Sequence, residues 1–180
     1  AKDFYEQAIS EKSNLAIAYY NLAIVLARLK ETDRAIDTAN QAVSADPKNL
    51  NYRYNLGVLY QLRAKDGDEK KAEDIFRAIL SSNEKLIDVR LSLGLLYEKG
   101  GKRQAATDEY QKIMDLLPAD AEGNIKQTRE QVQKLIDNVR SGVGNLKSPV
   151  PAVAPPVTDA PSVPLAPAGP NVSPLTEPAP

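Results

Sequence analysis

One stretch of eleven residues returns along this chain and limits what the chain can fold into. Residues 50–60, LNYRYNLGVLY, come back as residues 87–97, IDVRLSLGLLY, and a looser copy occupies residues 16–26, AIAYYNLAIVL. The matched positions are Leu22, Leu56 and Leu93, then Ala23, Gly57 and Gly94, then Leu26, Tyr60 and Tyr97. A pattern that returns with a period in the thirties indicates stacked supersecondary units.

A second pattern follows each copy and predicts a second helix in every unit. Its matched sets are Ala1, Ala35, Ala72 and Ala106, then Tyr5, Ala39, Phe76 and Tyr110, then Ala8, Ala42, Ile79 and Ile113. These sets are spaced by 34, 37 and 34 residues. Apolar residues three and four apart predict amphipathic helices. The longer spacing reflects three extra residues around Asp66-Gly67-Asp68, which is turn chemistry and predicts an exposed acidic loop.

Helix boundaries are also predicted from these residues. Thr32 or Asp33 is expected to cap the second helix of the first full unit. Asp46-Pro47 is expected to end it, because the residue before proline is pushed out of the helical region. Asn49 is then expected to begin the next helix.

In these positions the chain resembles the tetratricopeptide repeat, a 34-residue helix–turn–helix with leucine and a small residue in its first helix and alanine and an aromatic in its second. The resemblance implies an all-α, right-handed α-solenoid. The predicted division is a partial repeat at residues 1–15, repeats at 16–49, 50–86 and 87–120, a capping helix at 121–140 and a tail at 141–180.

The tail differs in kind from the repeats. Residues 148–180 contain 11 prolines, no lysine or arginine, and only Asp159 and Glu177 as charges. Such a composition predicts a disordered, Pro/Ala/Val-rich segment. Its prolines at 161, 164, 167 and 170 match the three-residue turn of polyproline II, so two interpretations stay open: a docking ligand for an aromatic groove, or a spacer.

Composition excludes several classes of function. With 23 basic and 24 acidic residues the chain lacks the basic excess that nucleic acid requires. Without cysteine or histidine it lacks the usual ligands of zinc and the commonest general base, so no metal, cofactor or catalytic residue is predicted and the segment is not expected to be an enzyme. No apolar run is long enough to span a bilayer. Because the pattern starts with half a repeat at Ala1, we expect further repeats upstream. Whether a membrane anchor also lies upstream is left open.

The resemblance further implies that the first helix of each repeat lines a concave groove that binds a peptide or helix of another protein. The groove candidates are Ile17, Tyr20, Asn21, Ile24, Asn51, Tyr54, Asn55, Val58, Leu91, Ser92 and Leu95, which we expect to be exposed. Asn21 and Asn55 hold the same place in successive repeats, and their amides can pair with an extended peptide backbone. The alternative is that these residues merely tolerate a curved, half-exposed surface.

Some family members use this groove to clamp a C-terminal carboxylate with lysines, an arginine and asparagines. Of that set only Asn55 is present here, while Tyr20, Ile24, Asp88 and Ser92 occupy the other places. Because an aspartate in place of a cation repels a carboxylate, no binding of such peptides is predicted.

Three functions follow as hypotheses. The first is a scaffold or adaptor that holds a peptide or helix of a protein partner in the groove. The second is a non-catalytic extramembrane repeat domain of a larger envelope enzyme or membrane protein, of bacterial type to judge from its alanine-rich helices and Pro/Ala/Val tail. The third is self-association through the open N-terminal face.

Overall fold

The computed structural model describes residues 16–142, and this part of the chain forms seven helices. They are α1 (Ala16–Arg28), α2 (Thr32–Ala45), α3 (Leu50–Arg63), α4 (Asp68–Ser82), α5 (Ile87–Lys99), α6 (Arg103–Leu116) and α7 (Gly123–Ser141). The partial repeat predicted for residues 1–15 and the tail beyond residue 142 lie outside the described residues.

Three tight turns reverse the chain between the two helices of each hairpin. Lys30, Ala64 and Gly101 occupy the same place in successive repeats, and all three have left-handed backbone conformations, with φ of 63°, 53° and 72°. This conformation ends the first helix and is strained for lysine and alanine, which have a Cβ atom. The three repeats therefore share the same turn conformation, but only the third repeat has glycine at this position.

The predicted boundaries are partly right. Asn49 caps α3, because its side-chain oxygen accepts a hydrogen bond from the backbone N–H of Asn51 at 3.1 Å. The prediction that Thr32 or Asp33 caps α2 is wrong. Both lie inside the helix, and Glu31 occupies the cap position. The side chain of Glu31 makes no capping hydrogen bond to the helix backbone and instead accepts a hydrogen bond from Arg34.

The helices pack in chain order, which makes the described fold an α-solenoid. The hairpins α1–α2, α3–α4 and α5–α6 stack one on the next, and α7 packs on α6. The first helices α3 and α5 also touch each other directly. The predicted all-α solenoid class is therefore confirmed.

Within the second and third hairpins, an aromatic ring from the second helix lies against a glycine of the first. A methyl group on Gly57 would lie 2.6 Å from Cε1 of Phe76, and one on Gly94 would lie 2.4 Å from Cε1 of Tyr110. Both rings are fully buried. In the first hairpin the corresponding residues are Ala23 and Ala39, so a small side chain on one helix faces a small one on the other.

The last helix closes the stack by contributing Val132, Ile136 and Val139 to the same apolar core that contains Tyr110. Arg129 also donates a hydrogen bond to the carbonyl oxygen of Met114 at 3.1 Å. The carbonyl oxygens at the end of α6 are otherwise without helical partners. Thus α7 covers the open side of the third repeat.

Replacing Gly57 with alanine should lower the free energy of unfolding by about 1–3 kcal/mol, because the added methyl group overpacks against the ring of Phe76. In a Phe76→Ala background the ring is gone, and the same change should instead raise it by about 0.5–1 kcal/mol through helix propensity. Urea unfolding of the four variants measures both effects. If Gly57→Ala lowers the free energy of unfolding equally with and without the Phe76 ring, the proposed overpacking against that ring is wrong.

Candidate functional site

The candidate groove residues lie on the first helices α1, α3 and α5, but most are not exposed. Tyr20, Ile24, Asn55, Val58, Ser92 and Leu95 are buried. Ile17, Asn21, Tyr54 and Leu91 are half-buried, and Asn51 is exposed. The expectation that all eleven are exposed is therefore wrong, and helical spacing alone could not show how closely neighbouring first helices approach.

Side chains that meet across the repeats explain this burial. The hydroxyl groups of Tyr54 and Ser92 are hydrogen-bonded at 2.9 Å, and Nε2 of Gln61 donates to the carbonyl oxygen of Ser92 at 3.5 Å. Between the first two repeats, the rings of Tyr20 and Tyr52 lie 5.1 Å apart at a tilt of 38°. Polar and aromatic groups of successive repeats thus contact each other instead of solvent.

Asn55 is the unusual residue of this face. Its side chain is 1% exposed, and neither Nδ2 nor Oδ1 has a hydrogen-bond partner among the described residues. Leaving a buried polar group unpaired costs about 1–3 kcal/mol. Asn21, at the equivalent place in the first repeat, is only half-buried. The side-chain amide of Asn55 therefore has one acceptor oxygen and two donor hydrogens that make no hydrogen bond within the described fold.

The neighbouring tyrosines stay protonated at neutral pH. Burial raises the pKa of Tyr20, whose hydroxyl oxygen also has no partner within residues 16–142. Burial likewise raises the pKa of Tyr54, and the nearby charge of Asp88 adds to this, although the hydrogen bond with Ser92 opposes it. Both hydroxyl groups therefore remain neutral donors and acceptors suited to amide groups.

A second cluster joins the first and second repeats at the three-residue insertion. Arg63 donates to both carboxylate oxygens of Asp68, at 2.8 and 2.7 Å, and to Asp33 of the preceding repeat at 2.8 Å. Lys65 donates to Asp68 through its backbone N–H at 3.0 Å and to Asp33 through Nζ at 2.9 Å. Asp33, expected as a helix cap, is instead part of an inter-repeat ion pair.

The carboxylate of Asp68 is fully buried, so the prediction that it belongs to an exposed acidic loop is wrong. The hydrogen bonds from Arg63 hold the pKa of Asp68 below its usual value. Those from Lys65 and then Arg63 do the same for Asp33. Reasoning from the sequence missed this cluster, although an arginine just before an inserted aspartate was the available signal.

Neither cluster provides a site for a metal ion. Within residues 16–142 there is no group of three or more acidic, cysteine or histidine residues that could hold one. The same part of the chain contains no helix that is both long and apolar enough to cross a membrane.

Comparison with known proteins agrees with this geometry. The family profile described as "Tetratricopeptide repeat" matches residues 16–49. Residues 16–49 therefore form a tetratricopeptide repeat. A tetratricopeptide-repeat protein from Parabacteroides merdae has the same fold with a TM-score of 0.63, at 18% identity over 79% of this chain and 53% of its own. The first such domain of Spaghetti (RPAP3), solved with an HSP90 peptide, gives a TM-score of 0.52 at 17% identity over 68% of this chain and 93% of its own.

Two curated relatives contain similar sequence. A TPR repeat-containing protein of Methanocaldococcus jannaschii is 22% identical across 77% of this chain and 30% of its own length. Protein O-mannosyl-transferase Tmtc3 of Drosophila melanogaster is 35% identical across 44% of this chain and 8% of its own length. This chain therefore spans less than a third of either relative.

Replacing Asp68 with asparagine should lower the free energy of unfolding by about 3 kcal/mol at neutral pH. The change removes a buried ion pair in which Arg63 makes two hydrogen bonds to the carboxylate. Since the folded pKa of Asp68 is lowered, its contribution is present above the ordinary aspartate pKa of about 4 and is lost as pH falls through the folded value. Urea unfolding at several pH values should therefore show the two proteins converging in acid.

The exposed neighbour Asp66 provides the matched control. Asp66→Asn should leave stability within about 0.5 kcal/mol of the original at every pH. A loss for Asp66→Asn as large as that for Asp68→Asn would show that loop charge in general, and not the buried pair, stabilises the insertion.

Proposed function

We propose that this repeat domain is a non-catalytic protein-interaction scaffold that binds an extended peptide along the face formed by α1, α3 and α5. The observation that carries the proposal is the unpaired amide of Asn55. An extended peptide exposes alternating N–H and C=O groups, and an asparagine side chain can pair with one of each. Such binding depends on the peptide backbone and tolerates many side chains.

Access to Asn55 requires the face to open. Asn55 is buried, whereas the hydrogen bond between Tyr54 and Ser92 lies at the same junction of α3 and α5 and is only partly buried. Side-chain rotamer changes are common when a partner binds. We propose that this hydrogen bond separates as the peptide enters, so that Tyr54 and Ser92 pair with the ligand together with Asn55.

The comparisons support the general class and not the partner. The Spaghetti domain of similar fold was solved with the HSP90 peptide SRMEEVD, so this architecture can hold a peptide in that protein. In the chain described here, the other places of the carboxylate clamp are occupied by Tyr20, Ile24, Asp88 and Ser92, none of which is a cation. The proposed ligand is therefore not an acidic C-terminal tail.

A second candidate function is a repeat domain within a larger enzyme. The similarity to protein O-mannosyl-transferase Tmtc3 covers 8% of that protein, so in that relative the matching segment is a small part of a large chain. In this alternative the repeats position a substrate polypeptide or a neighbouring subunit and perform no chemistry themselves. The peptide-binding face would be the same in both cases.

Replacing Asn55 with leucine should separate stability from binding. The unpaired amide disappears, so the free energy of unfolding should rise by about 1–2 kcal/mol, while peptides selected from a displayed random library should lose most of their affinity. Calorimetry and urea unfolding measure the two effects. The matched control is Asn124→Leu, at an exposed position of α7. Unchanged peptide affinity in Asn55→Leu would contradict the proposal.

The peptide SRMEEVD provides a test of the ligand class. We expect no measurable heat or chemical-shift change when it is titrated into the full chain, because Asp88 repels its terminal carboxylates. Replacing Asp88 and Ser92 with lysine and arginine should create weak binding. Micromolar binding by the unchanged chain would overturn the assignment of the ligand as uncharged extended backbone.

A further inference from the structure

The three-residue insertion forms one wall of a cleft of about 270 Å³ between the second and third repeats. Its other walls are Tyr60 and Gln61 near the end of α3, Glu69 of α4, and Leu96 and Lys99 near the end of α5. The cleft therefore lies at the edge where the hairpins turn. Asn55 lies one and a half turns further back along α3, so the cleft is a separate place on the molecule.

Gln61 provides the cleft with an unpaired acceptor. Its side chain is 7% exposed, its Nε2 reaches Ser92, and its Oε1 has no hydrogen-bond partner in the described part of the chain. A buried carboxamide oxygen of this kind calls for an N–H or O–H donor from a ligand. Tyr60 and Leu96 supply apolar surface beside it.

The charges at the rim are mostly compensated within the fold. Lys65 is paired with Asp33, and Glu69 is paired with Lys102 at 3.1 Å. Asp66 and Lys99 form no ion pair within residues 16–142. The cleft thus combines a nearly neutral interior with one cation and one anion at its rim.

The chain itself leaves the repeats at this same edge. Helix α7 runs back towards the hairpin turns and ends at Ser141, and a methyl group on Gly142 would lie 3.4 Å from Nη1 of Arg103. Arg103 begins α6 directly after the turn that follows Lys99. Gly142, the last residue that the structure describes, therefore lies at the same edge of the stack as the cleft.

We infer that the proline-rich segment, residues 149–170, binds in this cleft of its own chain. The segment carries no lysine or arginine, and Asp159 is its only charge, so its proline, valine and leucine side chains match the apolar walls of Tyr60 and Leu96. The alanine, valine and serine residues between its prolines carry backbone N–H groups that can donate to Oε1 of Gln61. Asp159 complements Lys99 at the rim.

Length and tethering favour this occupant over a separate molecule. In the polyproline II conformation 38 residues reach on the order of 100 Å, whereas packed helices lie about 10 Å apart. A tethered ligand of this kind has an effective concentration in the millimolar range, so a weak contact suffices for occupancy. Proline also reduces the entropy that the segment loses on binding.

The absence of cysteine from the whole chain allows a direct test. In the full-length protein, Ala160→Cys provides a single attachment point for a nitroxide, whose paramagnetic broadening of backbone amide signals is then measured by NMR. We expect the strongest broadening in residues 61–69 and 96–99. Gln61→Leu should reduce the ratio of docked to free segment roughly fivefold, as expected for one lost hydrogen bond.

Matched variants separate a specific contact from general proximity. Gln131→Leu and Lys126→Glu, both at exposed positions of α7, should leave the broadening unchanged, whereas Lys99→Glu should reduce it. Replacing the prolines at 161, 164, 167 and 170 with alanine does not alter the repeats and should also reduce the broadening. This variant therefore tests the inference even if Gln61→Leu does not fold. Broadening that is uniform, that centres on Tyr54 and Asn55, or that survives the proline replacement would overturn the inference.

Discussion

The contact of an aromatic ring with a glycine, Phe76 with Gly57 and Tyr110 with Gly94, sets the distance between the two helices of a hairpin. A glycine inside a helix is unfavourable by about 0.5–1 kcal/mol relative to alanine, so its presence indicates that backbone and ring must meet. The first hairpin reaches a similar packing with alanine on both helices. Because the hairpins stack in order, this local distance determines how the row of first helices, and hence the proposed binding face, is arranged.

The insertion in the second repeat shows how a solenoid tolerates a local change. Three additional loop residues have little entropic effect by themselves. Here they place Asp68 within hydrogen-bond distance of Arg63, which also donates a hydrogen bond to Asp33 in the neighbouring repeat. The insertion thus strengthens the junction of the first two repeats and, on its other side, forms a wall of the cleft that faces the third.

Sequence reasoning predicted the architecture because its signals are local and repeated. Leucine and glycine in the first helix, alanine and an aromatic in the second, and asparagine before α3 each act within one hairpin. The failures involve contacts between repeats. Asp33 and Asp68 have polar, turn-forming side chains, and only the three-dimensional structure places them on the same arginine. Asn55 was expected at an exposed place, but it is buried, and spacing along one helix does not show how the neighbouring helices pack around it.

The central claim is that the amide of Asn55 is left unpaired so that a peptide backbone can use it. The most direct measurement is the NMR signal of the Asn55 side-chain NH₂ group while a peptide selected from a random library is titrated into the full chain. The account predicts a large shift of this signal and slower exchange of its hydrogens with water in the bound state. A peptide that binds while this signal keeps both its position and its exchange rate would contradict the account and place the binding site elsewhere.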